Sequence, residues 1–199
     1  TWRDHALLEN SEVYHDLQLL SLHGQNKDAL SKLKLGSWEY DIVHPGKKCN
    51  MTDIMASLGL AQLKRFPELT KKRLRTIKAY DEAFLPLGVE SLQHAGADYQ
   101  GNGHLYMARI PGIVEEQRNE IIAQMATEGI ACNVHFKPLP MMTAYQAMGF
   151  DIADYPNAFG RYENEITLPL HTLLSDEDVE YVMDNFIQIV QDLTASGNY

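Results

Sequence analysis

Between residues 4 and 22 the apolar positions Leu7, Leu8, Val13, Leu17, Leu20 and Leu22 recur at helical spacing and stop at His23-Gly24, where glycine supplies a left-handed helix end. Residues 25–49 hold no sustained period and include Gly36, Pro45 and Gly46, a long loop of the kind that carries function. Thr52 or Asp53 caps a helix to about Phe66, with Ile54, Leu58, Ala61 and Leu63 as its apolar stripe, and Pro67 marks the next joint. A long, charged amphipathic helix follows over 67–87, with Leu69, Leu74, Ile77, Tyr80, Phe84 and Leu87 on one side.

After Gly88 the period changes. Residues 89–92 read as a short strand and 104–110 as a clearer one, with His104 and Tyr106 on one face as packing residues. Glu115 and Glu116 open a helix that Gly129 ends, and 130–136 returns as a strand, so 103–136 reads β-α-β. A short helix near 141–148, a turn-rich stretch and the apolar segment 166–170 follow. Ser175-x-x-Asp178 is a capping box for the last helix, which buries Val179, Val182, Met183, Phe186, Val190 and Leu193. The pattern predicts an α/β chain with a boundary inside the long helix, near 75–88. The first domain is then 1–80, helical and rich in loop, and the second is 81–199, a small α+β domain.

Composition narrows the partners. The chain has 199 residues, of which 45% are hydrophobic, enough for a buried core. Its 27 acidic against 17 basic residues give a formal charge of −10, which argues against gripping nucleic acid through its phosphates. Cys49 and Cys132 stand far apart without a C-x-x-C pair, so no disulfide framework is signalled and a reducing, cytoplasmic setting is expected. No apolar run approaches membrane-spanning length, and the charged opening Thr1-Trp2-Arg3-Asp4-His5 is unlike a signal peptide. Because the chain does not begin with Met and opens into a helical pattern, the expectation is a segment of something longer. The eight histidines form no H-x-H or H-x-x-x-H pair, which argues against zinc.

Two stretches carry candidate chemistry. In Gly46-Lys47-Lys48-Cys49-Asn50-Met51-Thr52-Asp53-Ile54 two lysines precede a helix N-terminus, so side-chain charge and free backbone N–H groups suit an anion such as a phosphate. The alternative is that both are solvated loop charges. In Asn133-Val134-His135-Phe136-Lys137-Pro138 a strand end carries an imidazole and an ammonium into a proline-stiffened turn, either as a site or as plain hydrogen-bond donors. Walker, Rossmann and G-x-S-x-G patterns are absent.

Taken in order, several of these residues form a recognisable series. It begins at His23-Gly24 and continues through Gly46-x-Lys48-x-Asn50-Met51-Thr52-Asp53-Ile54-x-Ala56-x-Leu58-Gly59-Leu60-x-Gln62-Leu63, His104-x-Tyr106 and Gly129-Ile130. It ends with His135-Phe136-x-Pro138-Leu139, Tyr145 and Leu168-Pro169-Leu170. The series resembles the C-terminal half of the DegT/DnrJ/StrS aminotransferases, over nearly the whole chain. The resemblance implies an aspartate-aminotransferase-like (fold type I) enzyme. Such enzymes use pyridoxal 5′-phosphate (PLP) to move an amino group from glutamate to a keto group on a nucleotide-linked sugar, in cell-surface polysaccharide or amino-sugar biosynthesis. Residues 1–80 would be the end of the large PLP domain plus the interdomain helix, and 81–199 the small domain.

The resemblance also assigns roles. Lys48 stands where the family contacts the PLP phosphate of the partner subunit, which implies a homodimer. Asn50, His135 and Phe136 take the substrate-binding positions; Phe136 replaces a tyrosine and Pro140 a histidine of many members. No catalytic residue is assigned within the chain, since the Schiff-base lysine and the Asp that pairs with the pyridine nitrogen are expected upstream of Thr1, and neither Lys47 nor Lys48 takes that role. The competing expectations are a sugar dehydratase on the same scaffold and a non-catalytic binding or assembly module.

Overall fold

The computed structural model describes residues 11–26, 41–49 and 51–195. They fall into two compact units, Thr1–Arg65 and Phe66–Tyr199.

In the first unit, helix α1 (Ser11–Ser21) ends as the sequence predicts: His23 and Gly24 have φ of 60° and 76°. The Gly24 N–H reaches back to the Leu19 carbonyl at 2.6 Å, the wrap-around bond of a left-handed helix end. The segment 41–49 then runs antiparallel to 22–25, with bridges Leu22↔Lys48 and Gln25↔Ile42. Residues 4–10 of the expected first helix and 27–40 of the expected loop lie outside the described residues.

Helix α2 (Asp53–Phe84) begins at the expected cap, where Thr52 accepts from the Ala56 N–H through its carbonyl at 2.8 Å and from the Met55 N–H through Oγ1 at 3.4 Å. The joint expected at Pro67 is corrected, because one helix of 32 residues runs through it. Proline removes a single N–H from the ladder, and the helix continues across the gap. The units nevertheless part at Arg65 and Phe66, just ahead of that proline. The boundary therefore lies earlier than the expected 75–88, because Thr76, Ile77, Tyr80 and Phe84 are buried with the second unit's core.

That core forms around a small antiparallel ladder of β1 (Tyr106–Arg109) and β2 (Glu165–Leu168), in register from Tyr106↔Leu168 to Arg109↔Glu165. The strands expected at 89–92 and 130–136 contract to single bridges, Glu90↔Arg109 on one flank and Asn133↔Thr167 on the other. His104 is exposed and lies before β1, whereas Tyr106 is buried.

Around the ladder stand helices α3 (Glu115–Thr127), α4 (Thr143–Gln146), α5 (Pro156–Tyr162) and α6 (Asp176–Ala195). Helix α3 ends at Gly129, φ 74°, and the Ile130 N–H closes back on the Met125 carbonyl at 3.0 Å. The expected capping box opens α6, with Asp178 N–H to Ser175 Oγ at 3.1 Å and Ser175 N–H to Asp178 Oδ2 at 2.8 Å. Its inner face packs as expected, except that Met183 is only half-buried. Rings of Tyr80, Phe84, Tyr106 and Phe186 form the centre, with Tyr80–Tyr106 at 4.9 Å and Phe84–Phe186 at 4.8 Å. No described helix is long and apolar enough to cross a membrane.

Candidate functional site

The residues singled out by sequence lie in both units. In the first, the basic loop is held by its backbone. Lys47 N–H donates to Leu20 O and Cys49 N–H to Ser21 O, each at 2.9 Å, so carbonyls that the end of α1 leaves without helical partners find donors in the loop. Val43 N–H to Gly24 O at 2.9 Å and His23 N–H to Lys47 O at 3.0 Å complete the contact.

Two glycines make this approach feasible. A Cβ on Gly24 would lie 1.6 Å from the His44 carbonyl oxygen, and one on Gly46 would lie 2.5 Å from the Gly24 nitrogen. Any side chain at either position collides with backbone.

Within the loop the amides of Lys47 and Cys49 are used by α1, so they add nothing to the free N–H groups expected at the N-terminus of α2. The positive charge comes from side chains: Lys47 and Lys48 are exposed, and neither forms an ion pair among the described residues. Lys48 thus carries an ammonium without an ion pair among the described residues, on a backbone bonded to α1. Asn50 lies outside the described residues, and Cys49 is exposed.

In the second unit, His135 and Phe136 line a cavity of about 110 Å³ together with Arg109, Arg161, Tyr162 and Glu165. The His135 and Phe136 rings meet edge to face, with centroids 4.5 Å apart, and Phe136 is 72% exposed. Lys137 lies beside them, exposed. A larger cavity of about 270 Å³ is lined by Lys72, Arg75, His171 and Asp176, with Arg75 and Asp176 paired. None of the candidate site residues lines it.

His135 is held by two groups that the sequence reading missed. Its Nδ1 lies 2.8 Å from Thr167 Oγ1, whose hydroxyl donates to Glu165 Oε1 at 2.5 Å. Glu165 Oε2 accepts the His135 backbone N–H at 2.8 Å, so one carboxyl grips both the chain and the ring's partner. A regular ladder continuing from Asn133↔Thr167 would bring residue 135 opposite residue 165. Here the Glu165 side chain takes the His135 N–H, while the Glu165 carbonyl accepts from Arg118 Nη1 at 3.4 Å. That exchange ends the pairing beyond Asn133, so the C-terminal part of the expected strand 130–136 is not built.

Arg118 of α3 is the other missed residue, with a side chain only 1% exposed. Its Nη1 donates to the Tyr162 carbonyl at 3.1 Å, its guanidinium lies 4.7 Å from the Tyr162 ring centroid, and Nη2 pairs with Glu115 at 3.4 Å. Arg118 Nε has no hydrogen-bond partner among the described residues. Burial raises the Glu165 carboxyl above its ordinary value, opposed by the Thr167 hydroxyl, the His135 amide and the charges of His135 and Arg118. Burial likewise pushes the Cys132 thiol up to about 11, which makes it a packing residue rather than a nucleophile. The available signal was a charge on a core-facing position: Arg118 shares the α3 face of Ile121 and Met125, and Glu165 is the one charged residue of β2, whose four residues are all buried.

Comparison with known proteins adds a third kind of observation. Residues 6–187 match the DegT/DnrJ/EryC1/StrS aminotransferase family. The chain is 34% identical over 190 residues to the spore coat polysaccharide biosynthesis protein SpsC of Bacillus subtilis, covering 92% of this chain and 48% of SpsC. Among solved structures it resembles Spr1654 from Streptococcus pneumoniae, assigned as a sugar aminotransferase, in its PMP form. The TM-score is 0.78 at 52% identity, covering 92% of this chain and 46% of that one. It also resembles Helicobacter pylori PseC, an aminotransferase of pseudoaminic acid biosynthesis, with TM-score 0.71 at 26% identity, covering 92% of this chain and 47% of that one. The chain thus spans about half the length of the relatives it matches. The fold class is α/β, as expected.

Proposed function

Because the chain belongs to the DegT/DnrJ/EryC1/StrS aminotransferase family, we propose that it forms the C-terminal half of a PLP-dependent sugar aminotransferase. In this reading glutamate is the amino donor and the acceptor is a keto group on a nucleotide-linked sugar. With the boundary at Arg65 and Phe66, the first unit contributes the end of the large domain, and the second the rest of the long helix and the small domain. The coverage of relatives supports a half-length piece, and the Spr1654 structures in PMP and PLP forms support the cofactor.

The observation that carries the reading is Lys48, an exposed ammonium without an ion pair among the described residues, on a loop whose backbone is bonded to α1. Such a group suits a phosphate, because no described residue pairs with its charge and its mount is bonded in place. When bound, the cofactor supplies an electron sink for the carbon being aminated. Lys48 holds the phosphate of the partner subunit's cofactor, so the active enzyme is a homodimer. Asn50 and His135 offer polar contacts to the substrate, and Phe136 offers an exposed apolar ring on which a sugar or base face can rest. A nucleotide-linked substrate makes the enzyme cytoplasmic.

Borohydride reduction followed by intact-mass measurement tests this directly. A pyridoxyl adduct on a polypeptide that includes this sequence is the expected result once any PMP has been exchanged for PLP, and absence of an adduct on the PLP-exchanged whole protein removes the cofactor reading. In that protein Lys48→Ala weakens PLP retention, read as faster loss of cofactor absorbance on dialysis. Unchanged retention removes Lys48 from the phosphate site.

The self-contained core of the second unit favours one other reading, a non-catalytic binding or assembly module. A protein that dimerises but never acquires PLP absorbance would decide for it.

A further inference from the structure

A hydroxyl has one proton to give, and Thr167 sits between two partners. Its Oγ1 lies 2.5 Å from Glu165 Oε1 and 2.8 Å from His135 Nδ1. An ionised carboxylate only accepts, so the Thr167 proton goes to Glu165 and the oxygen is left as an acceptor toward the ring. The proton on that second bond must then come from His135, which fixes it on Nδ1. Burial works against the ionised carboxylate, and two further contacts work for it: its Oε2 accepts the His135 amide at 2.8 Å, and Arg118 lies behind it with Nη1 on the Glu165 carbonyl at 3.4 Å. Thr167 and Glu165 are 6% and 2% exposed, so water does not compete for these bonds.

We propose that Thr167 and Glu165 are positioning residues that set the ring tautomer of His135, keeping the proton on Nδ1 and leaving Nε2 bare. The imidazole lines the 110 Å³ cavity, and Nε2 makes no hydrogen bond with the described residues. The neutral ring therefore offers the cavity an acceptor. The ligand group it takes is a donor, the hydroxyl or N–H of a sugar, and an oxygen that only accepts is disfavoured. Without the relay, Nδ1 and Nε2 would share the proton and the site would accept either polarity. The ligand part of this inference rests on the sugar aminotransferase reading; the tautomer does not.

The test is nitrogen NMR of the whole protein with histidine labelled in the ring, at mildly alkaline pH. A His135→Asn variant identifies the signals among those of the eight histidines. The expected spectrum has His135 Nδ1 at the protonated position and Nε2 at the unprotonated one. Thr167→Ser keeps this pattern because it keeps the hydroxyl. Thr167→Val, close in shape, moves both nitrogens to intermediate, exchange-averaged positions.

A proton on Nε2 in the wild-type protein overturns the inference, as does an unchanged His135 pattern in Thr167→Val. Neither result touches the cofactor reading, which stands or falls on the borohydride adduct. Conversely, a missing adduct leaves the measured tautomer in place and removes only the sugar as its ligand.

Discussion

The two units are held in shape by different forces. In the second, eighteen or so residues of a continuous apolar core, with Tyr80, Phe84, Ile121, Met125, Ile166 and Phe186 fully buried, enclose a short ladder. In the first, Leu19 is the one buried apolar side chain among the described residues, while Met51, Ile54, Met55, Leu58, Leu60 and Leu63 are 57–76% exposed. What orders the first unit is backbone: donated amides and two glycines that let chain segments cross. The contrast shows that backbone bonds can hold a loop where the described residues put little apolar core beneath it. It also shows where substitutions hurt: in the second unit, loss of volume; in the first, addition of even one carbon.

The strongest test of that contrast is Phe186→Ala, which removes a buried ring packed on Phe84 and is expected to cost about 3–5 kcal/mol in urea denaturation. Leu58→Ala on exposed α2 should change the stability of the 199-residue chain by no more than about 0.5 kcal/mol. Equal losses at the two positions would break the distinction.

Next comes Gly24→Ala. With φ at 76° and the His44 oxygen 1.6 Å from the new Cβ, the crossing must open, at a cost of about 1–3 kcal/mol. Hydrogen exchange should accelerate at the Val43, Lys47 and Cys49 amides and stay constant in α3 and α6. Protection preserved in the loop would mean that something other than the glycine crossing holds it.

The smallest effect sharpens the picture at one helix end. Ser175→Ala removes the hydroxyl of the capping box and should cost about 1 kcal/mol. The Ser175 amide and hydroxyl hold the Asp178 carboxyl below its ordinary value. A depressed acid contributes stability that is present above its unfolded-state value and is lost as pH falls through the folded one. The thermal midpoint of the wild-type chain should therefore drop on acidification more steeply than that of Ser175→Ala. Parallel curves would mean that this pair does not couple to folding.

Features written in neighbouring residues were legible in the sequence. The stops at Gly24 and Gly129, the cap at Thr52 and the box at Ser175 each depend on residues within one turn, and each stands where the pattern puts it. Features decided at a distance were not. Proline at 67 is a local breaker, yet helix formation on both sides carries α2 through it. The strand at 130–136 has the right period, but its pairing ends because the carboxyl of Glu165, thirty positions on, takes the His135 amide. Lys48 was legible as charge, and the use of its neighbours' amides by α1 was not. Arg118 and Glu165 belong to one arrangement across 47 positions, which no local spacing announces.

The same carboxyl has a consequence for how copies of the protein behave when crowded. A sheet whose outer rows are long and flat offers unpaired amides and carbonyls along which another chain can add itself. Here the β1–β2 ladder is flanked by single-residue bridges, and the row beside β2 leaves the ladder where Glu165 captures the next amide. A stranger's strand therefore finds no run of free backbone to copy on that side. By ending its own sheet with a side chain, the small unit denies aggregation a template.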